Sequence, residues 1–161
     1  MENNRSLAMP VNFNQQYKGF NSVINSSGCA LCCGVDISAY YGVSNNHGPE
    51  YFYNNYWDNG YTWQSPCANF TSAAYSLTKI KSEIDAGRPV AVHAKNSANP
   101  NKQHWVVAYG YTNDASDEEH VLVLDPWNSD TLMTTGVRSS LRQGLDHIDN
   151  AVYDMKLSSA K

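Results

Sequence analysis

The chain has 161 residues, 42% of them hydrophobic and 16% charged, with a formal net charge of −4. That is enough for one domain with a real core, here residues 1–161, and short for two. The charge balance excludes a basic stripe for nucleic acid, and no apolar run approaches the roughly 20 residues of a membrane span.

Met1-Glu2-Asn3-Asn4-Arg5 has neither the basic flank nor the apolar stretch of a signal peptide. The protein is expected to act at the cell wall or outside the cell by a route this chain does not encode, with the cytoplasm, where it is made, as the alternative. The 18 asparagines outnumber the 11 lysines and arginines, beside 11 tyrosines and 4 tryptophans. Asn, Ser and Gly favour turns, so long loops are expected between compact elements.

Residues 1–10 read as a loose arm, and Val11 to Phe13 as a short extended piece leading into Gln15-Gln16-Tyr17. Ser26-Ser27-Gly28 is a turn signal. Cys29, Cys33 and Ile37 recur at helical spacing, which predicts a helix from Cys29 to about Tyr41 stopped by Gly42. Residues 44–75 are rich in Asn, Tyr and Trp, with turn signals at Asn59-Gly60 and Ser65-Pro66. Leu77, Ile80 and Ile84 predict a helix over 76–86, ended by Gly87 and Pro89.

Val90 to Ala94 reads as a strand. His104 to Tyr111 and Val121 to Leu124 are the two clearest strands, joined by the acidic stretch Thr112 to His120. Asp125-Pro126 ends the second, because proline cannot continue a ladder. The tail from Ser139 is helix or loop. Helices followed by a mostly antiparallel sheet make the fold class α+β.

Four cysteines, Cys29, Cys32, Cys33 and Cys67, make no disulfide framework, since three lie within five residues. Cys29-x-x-Cys32 lacks the second ligand pair of a structural zinc site. Cys32 and Cys33 fall inside the predicted helix, where a buried thiol acts as a small hydrophobe. Cys29 opens that helix after a glycine. There the positive end of the helix dipole favours a thiolate.

A hairpin register that sets Val106 opposite Val123 also sets His104 opposite Asp125. Directly opposed residues have Cβ atoms roughly 4.5–5.5 Å apart, close enough for a carboxylate to fix an imidazole tautomer. A one-residue slip would break the pairing. The Cys29 backbone N–H and the amide of Gln15 or Gln16 are candidate oxyanion donors; chemistry alone does not choose between the glutamines.

In order along the chain stand Gln15/Gln16, Ser27-Gly28-Cys29, Ala86-Gly87-Arg88-Pro89-Val90, His104-Trp105-Val106-Val107 with Gly110-Tyr111, and Asp125-Pro126-Trp127. This ordered set resembles the papain-like cysteine peptidases, and within them the bacteriocin-processing (double-glycine) peptidases and their stand-alone relatives. The resemblance implies a papain-like fold, with N-terminal helices packed on the sheet. It implies a nucleophile at Cys29, a general base at His104, an orienting carboxylate at Asp125 and an oxyanion glutamine at Gln15, with Gln16 in reserve. No metal or cofactor is required. Two departures are a longer gap between the glutamine and Cys29 than in papain, and Leu31-Cys32-Cys33 where relatives carry small polar residues.

An isolated domain rich in Asn and Tyr points to a lysin-type module cutting peptidoglycan peptides, with a peptide as the partner. Tyr51-Phe52-Tyr53, Tyr56-Trp57 and Tyr61-Thr62-Trp63 are candidates to line a cleft or stack on sugars, or else to pack a long loop onto the core. The alternatives are an acyltransferase of the same fold, a non-catalytic binding module, and a zinc peptidase using His93, His104 and Asp125. The last lacks a compact ligand pair. His93, expected as a buried hydrogen-bonded side chain, and His120 and His147, expected at the surface, receive no role.

Overall fold

In the computed structural model, which describes residues 3–42, 47–128, 132–134 and 136–161, seven strands form one sheet. The strands are β1 (Arg5–Ser6), β2 (Ala68–Ala74), β3 (Val90–Asn96), β4 (Gln103–Tyr111), β5 (Val121–Asp125), β6 (Val137–Ser140) and β7 (Ala151–Ala160). They run in the order β2-β7-β3-β4-β5-β6, β1 adds to β4, and each pairing is antiparallel. Helices α1 (Ser22–Ser27), α2 (Cys29–Tyr40) and α3 (Pro49–Tyr56) precede most of the sheet, whereas α4 (Leu77–Asp85) and α5 (Leu141–Leu145) are interleaved with it. The class is α+β, as the order of sequence signals implies.

The helix expected from Cys29 forms as α2, but not as an amphipathic one. All its residues from Leu31 to Ser38 are buried. Cys33 and Ile37 pack with the sheet residues Val90, Val92, Val106 and Val107. Leu31 and Val35 join a second cluster with Phe20, Ile24, Phe52 and Tyr61. A helix with partners all round needs apolar residues all round, and this explains why Cys32 as well as Cys33 is inside.

Helix α4 matches its expected span, with Ser76 as the cap: its hydroxyl accepts the Lys79 N–H at 3.1 Å. Ile80 and Ile84 are fully buried. Beyond its end, Arg88 makes a two-pronged bond to Glu83, at 3.1 and 2.8 Å, and the Tyr40 hydroxyl donates to the Gly87 carbonyl at 2.7 Å. The Ala86-to-Val90 motif is thus the clamp that turns α4 into β3.

Several elements carry no clear sequence signal. Strand β7 lies between β2 and β3, yet only Met155 and Ser158 along it are buried. It is held by ladder bonds on both sides, so it needs no strict alternation. Helices α1 and α3 replace turn and loop. Asn21 caps α1 by accepting the Ile24 N–H at 2.9 Å, and Pro49 starts α3. Residues 44–46 of the expected loop, and the first two of the arm, lie outside the described residues.

The arm is not loose from Arg5 onward. Arg5 and Ser6 pair with Tyr111 and Gly110, Leu7 N–H donates to the Tyr109 carbonyl at 2.8 Å, and Leu7 and Met9 are buried. Gly110 permits this approach, since a Cβ there would stand 2.7 Å from the Arg5 carbonyl oxygen. We therefore expect Gly110→Ala to detach β1 and cost about 1–3 kcal/mol, seen as a lower Tm and faster amide exchange at Arg5 to Leu7. An unchanged exchange pattern would sink the role given to Gly110.

Asp36 is a buried carboxyl in α2 whose Oδ1 accepts the Phe13 N–H at 2.9 Å. Burial pushes this carboxyl well above the usual carboxylate range, against the weaker pull of the Phe13 bond and Arg138. Its proton is held more tightly folded than unfolded, so stability is greatest at low pH and is lost as pH rises through the raised value. Asp36→Asn should remove that loss, raising Tm relative to wild type at pH 8 more than at pH 5. An equal fall in Tm at both pH values would show that the ionised carboxylate is needed.

Candidate active site

Cys29 is the first residue of α2, half-buried, with Gly28 as the cap residue. A Cβ on Gly28 would strike the Ile24 carbonyl, so the Ser27-Gly28-Cys29 turn can bring α1 and α2 this close only with glycine. The first N–H groups of a helix have no intrahelical partner and point outward from its start. Cys29 thus joins a thiol to an unused backbone donor.

His104 and Asp125 meet, but not in the expected register. Val123 lies opposite Ala108 rather than Val106, Val107 lies opposite Leu124, and the ladder shifts between Ala108 and Gly110. His104 is therefore a diagonal neighbour of Asp125, not its direct opposite. The displacement is an even number of residues, so both side chains stay on one face. Diagonal neighbours are within reach of long side chains, and His104 Nε2 lies 2.7 Å from Asp125 Oδ1. The same oxygen accepts the Trp127 N–H at 3.0 Å.

Cys29 lines the same cavity as His104 and Asp125, near enough to favour the protonated ring. Burial disfavours the imidazolium, but Asp125 and Cys29 outweigh it and push His104 up to about 10. Both neighbours favour the protonated ring. His147 faces it edge-on with ring centroids 5.3 Å apart, and is pushed down by burial and by the charge on His104.

Of the two glutamines, Gln15 lines the cavity with Cys29 and His104; Gln16 does not. Gln15 is held from several directions. Its backbone N–H donates to the Pro126 carbonyl at 2.7 Å, and its Nε2 to the Asn25 carbonyl at 3.2 Å. Asn25 Nδ2 returns a bond to the Gln15 carbonyl at 2.7 Å. Asn14 Oδ1 accepts the N–H groups of Gln16 and Asn128, at 3.0 and 3.1 Å. Asn14 and Asn25 went unremarked in the sequence because nothing in spacing separates a buried bridging asparagine from a turn asparagine.

The cavity around these groups has a volume of about 420 Å³ and is also lined by Ser26, Gln103, Trp127 and His147. A second cleft of about 680 Å³ shares Cys29, Ser26 and Gln103 with it and is walled by Tyr53, Trp57, Tyr61, Trp63 and Trp105. The aromatic loop therefore divides: Phe52 is core, while Tyr53, Trp57, Tyr61 and Trp63 face the cleft. Gln103 and Trp105 flank His104 in β4, and a strand so clearly apolar gave no cue that they face a cleft.

His93 does not join His104. It pairs in β3 with Trp105, stacks on that indole and bonds Asp154 and Gln103, as a buried hydrogen-bonded side chain. It occupies the face of the sheet opposite to His104, which removes the zinc arrangement of His93, His104 and Asp125. Among the described residues no three His, Cys, Asp or Glu side chains gather as a metal site.

No curated protein and no solved structure matches the chain. A family model, the Peptidase_C39 like family, matches residues 6–141, which run from β1 through the candidate site to α5. A helix opening on a cysteine, packed against an antiparallel sheet, is the papain-like architecture that the sequence resemblance implied. With that match over most of its length, the chain belongs to the Peptidase_C39 like family and carries the cysteine-peptidase type of function that goes with it.

Proposed function

We propose that the protein is a cysteine endopeptidase with Cys29 as nucleophile, His104 as general acid and base, Asp125 as its orienting carboxylate and Gln15 in the oxyanion hole. The observation that carries this reading is the placement of His104, bonded to Asp125 at 2.7 Å and lining one cavity with Cys29 and Gln15. In this reading the Cys29 sulfur attacks an amide carbonyl carbon. A C–S bond forms and the carbonyl π pair moves to oxygen. The Cys29 N–H and the second Nε2 hydrogen of Gln15 stabilise that oxyanion.

As the oxyanion collapses, the C–N bond breaks and His104 gives its proton to the leaving amine. Water then attacks the thioester and loses a proton to His104. The second collapse releases a carboxylic acid and frees the Cys29 sulfur beside a protonated His104, as at the start. Asp125 keeps the ring in place throughout and stabilises its charge.

For the substrate we propose the peptides of peptidoglycan. The aromatic wall beside Cys29 supports this, because Tyr53, Trp57, Tyr61 and Trp63 offer flat faces to a sugar-bearing chain. Purified sacculi incubated with the protein should gain free amino groups, and Cys29→Ala should gain none. If sacculi are untouched while unrelated peptides are cut, the peptidoglycan assignment falls and the peptidase stands. If Cys29→Ala cuts as well as wild type, the nucleophile is wrong.

The pH profile tests His104 separately. The reactive state needs its proton, so kcat/KM should fall on the alkaline side as pH rises through about 10, not through 6.5. Asp125→Asn removes a bond that raises His104, so the alkaline limb should move to lower pH, with a rate loss of at least ~100-fold. A limb that stays in place in Asp125→Asn would mean that Asp125 is only a strand end.

A further inference from the structure

Beside the proposed catalytic groups runs a second chain of polar side chains with no part in the chemistry above. Asp154 on β7 lies 2.9 Å from His93 Nδ1, and His93 Nε2 lies 2.7 Å from Gln103 Oε1. The imidazole is 7% exposed and stacks flat on Trp105, with centroids 4.2 Å apart and planes within 7°. Trp105 in turn meets Trp63 at 4.6 Å. A buried histidine bonded at both nitrogens and clamped on a third side is a fixed object. Both ends of the chain, Asp154 and Gln103, are exposed, and Gln103 lines both the cavity of His104 and the aromatic cleft.

We propose that Gln103 is a specificity-determining residue that binds a backbone carbonyl oxygen of the peptide substrate, and that His93, anchored by Asp154, is the residue that positions it. This rests on the reading of the Cys29 cleft as the peptide-binding site. An amide group has an acceptor end and a donor end. Asp154 Oδ1 and Gln103 Oε1 are both acceptors, so this arrangement has a proton on each ring nitrogen of His93. With Oε1 so committed, the NH2 group of Gln103 is the end left for the cleft, between Cys29 and Trp105. A free glutamine would turn either end towards the substrate and lose side-chain entropy on binding; the Asp154–His93 pair removes that cost beforehand. An extended peptide passing from the aromatic cleft to the His104 cavity crosses Gln103 and presents it with a carbonyl oxygen.

The experiment measures inactivation of Cys29 in the full chain by two electrophiles. One is iodoacetamide, which needs only the reactive sulfur; the other is an N-acylated Phe-Ala fluoromethyl ketone, which must first lie along the cleft. Saturation kinetics separate KI from kinact for the peptide reagent. In Gln103→Ala and in Gln103→Glu, KI should rise about tenfold, as for loss of one hydrogen bond. In Gln103→Ala, which adds no charge, the kinact and the iodoacetamide rate should stay within about twofold, since the change does not touch the reacting atoms. Gln103→Glu keeps an acceptor for His93 and removes the donor but adds a negative charge, so only its KI is compared.

His93→Phe keeps the ring on Trp105 and should raise KI as much as Gln103→Ala. The double variant should be no worse than either single one, because the two act as one unit. An unchanged KI in Gln103→Glu overturns the donor role, and additive losses overturn the positioning role of His93. A matching fall in the iodoacetamide rate of Gln103→Ala would mean that Gln103 acts on His104 instead, which also overturns the proposal. If His93→Phe does not fold, Gln103→Glu decides alone. Failure of the underlying reading looks different: wild-type Cys29 then reacts with iodoacetamide no faster than Cys67.

Discussion

One oxygen atom organises the site. Asp125 Oδ1 accepts His104 Nε2 from within the sheet and the Trp127 N–H from the turn that follows. It can do so only because the β4–β5 register keeps His104 and Asp125 on the same face. The shift in that ladder between Ala108 and Gly110, two residues of β4 against one of β5, is what brings the two side chains to a common face. Helix α5 closes over the same place: the missing Cβ of Gly144 leaves room for Val106, Val123 and the second carboxylate oxygen. A frame of backbone ladder bonds thus sets the histidine, and α2 brings the sulfur to it.

The rest of the site is tied on by buried amides and acids. Buried polar groups are costly unless they are bonded, so each one that is bonded specifies a neighbour. Asn14 joins the Gln15 segment to the turn after Asp125, and Asn25 joins it to α1. Asp36 holds the Phe13 N–H from the middle of α2. Asn96 does the same work in the β3–β4 connection, where it accepts the N–H groups of Ala98 and Asn99 and donates to Asp149. The abundance of asparagine is therefore partly internal wiring: these side chains satisfy irregular backbone that no helix or strand could.

Helix α2 separates two cores, and the site opens where they meet. On one side Cys33 and Ile37 seal against the sheet; on the other Leu31 and Val35 seal against Phe20, Phe52 and Tyr61. The aromatic cleft starts at the exposed end of that seam, next to Cys29. Aromatic residues that complete the smaller core on one edge thus form the wall of the cleft on the other.

The cysteine, histidine, aspartate and glutamine were legible because each sits beside a local signal: a glycine before a helix, the first residue of an apolar strand, a proline after one, and an extended run. The ordered set of short motifs then carried the family. Helix α4 and strands β3, β4 and β5 were legible from apolar periodicity alone, because each buries a continuous row against the core.

Strand β7, helix α3 and the docking of the arm were not legible. β7 is held mainly by backbone bonds to β2 and β3, α3 by contacts of Phe52, and β1 by two pairings with β4. Their partners lie far away in the chain. The sequence by itself determined the family and the class of fold and singled out the candidate residues of the site, since these depend on residue types and local periods. Only the tertiary structure decided which glutamine faces the sulfur, which diagonal joins His104 to Asp125, and that His93 belongs to Gln103 and not to a metal. Those depend on long-range register and on which face of a strand is turned to whom, and no local pattern encodes either.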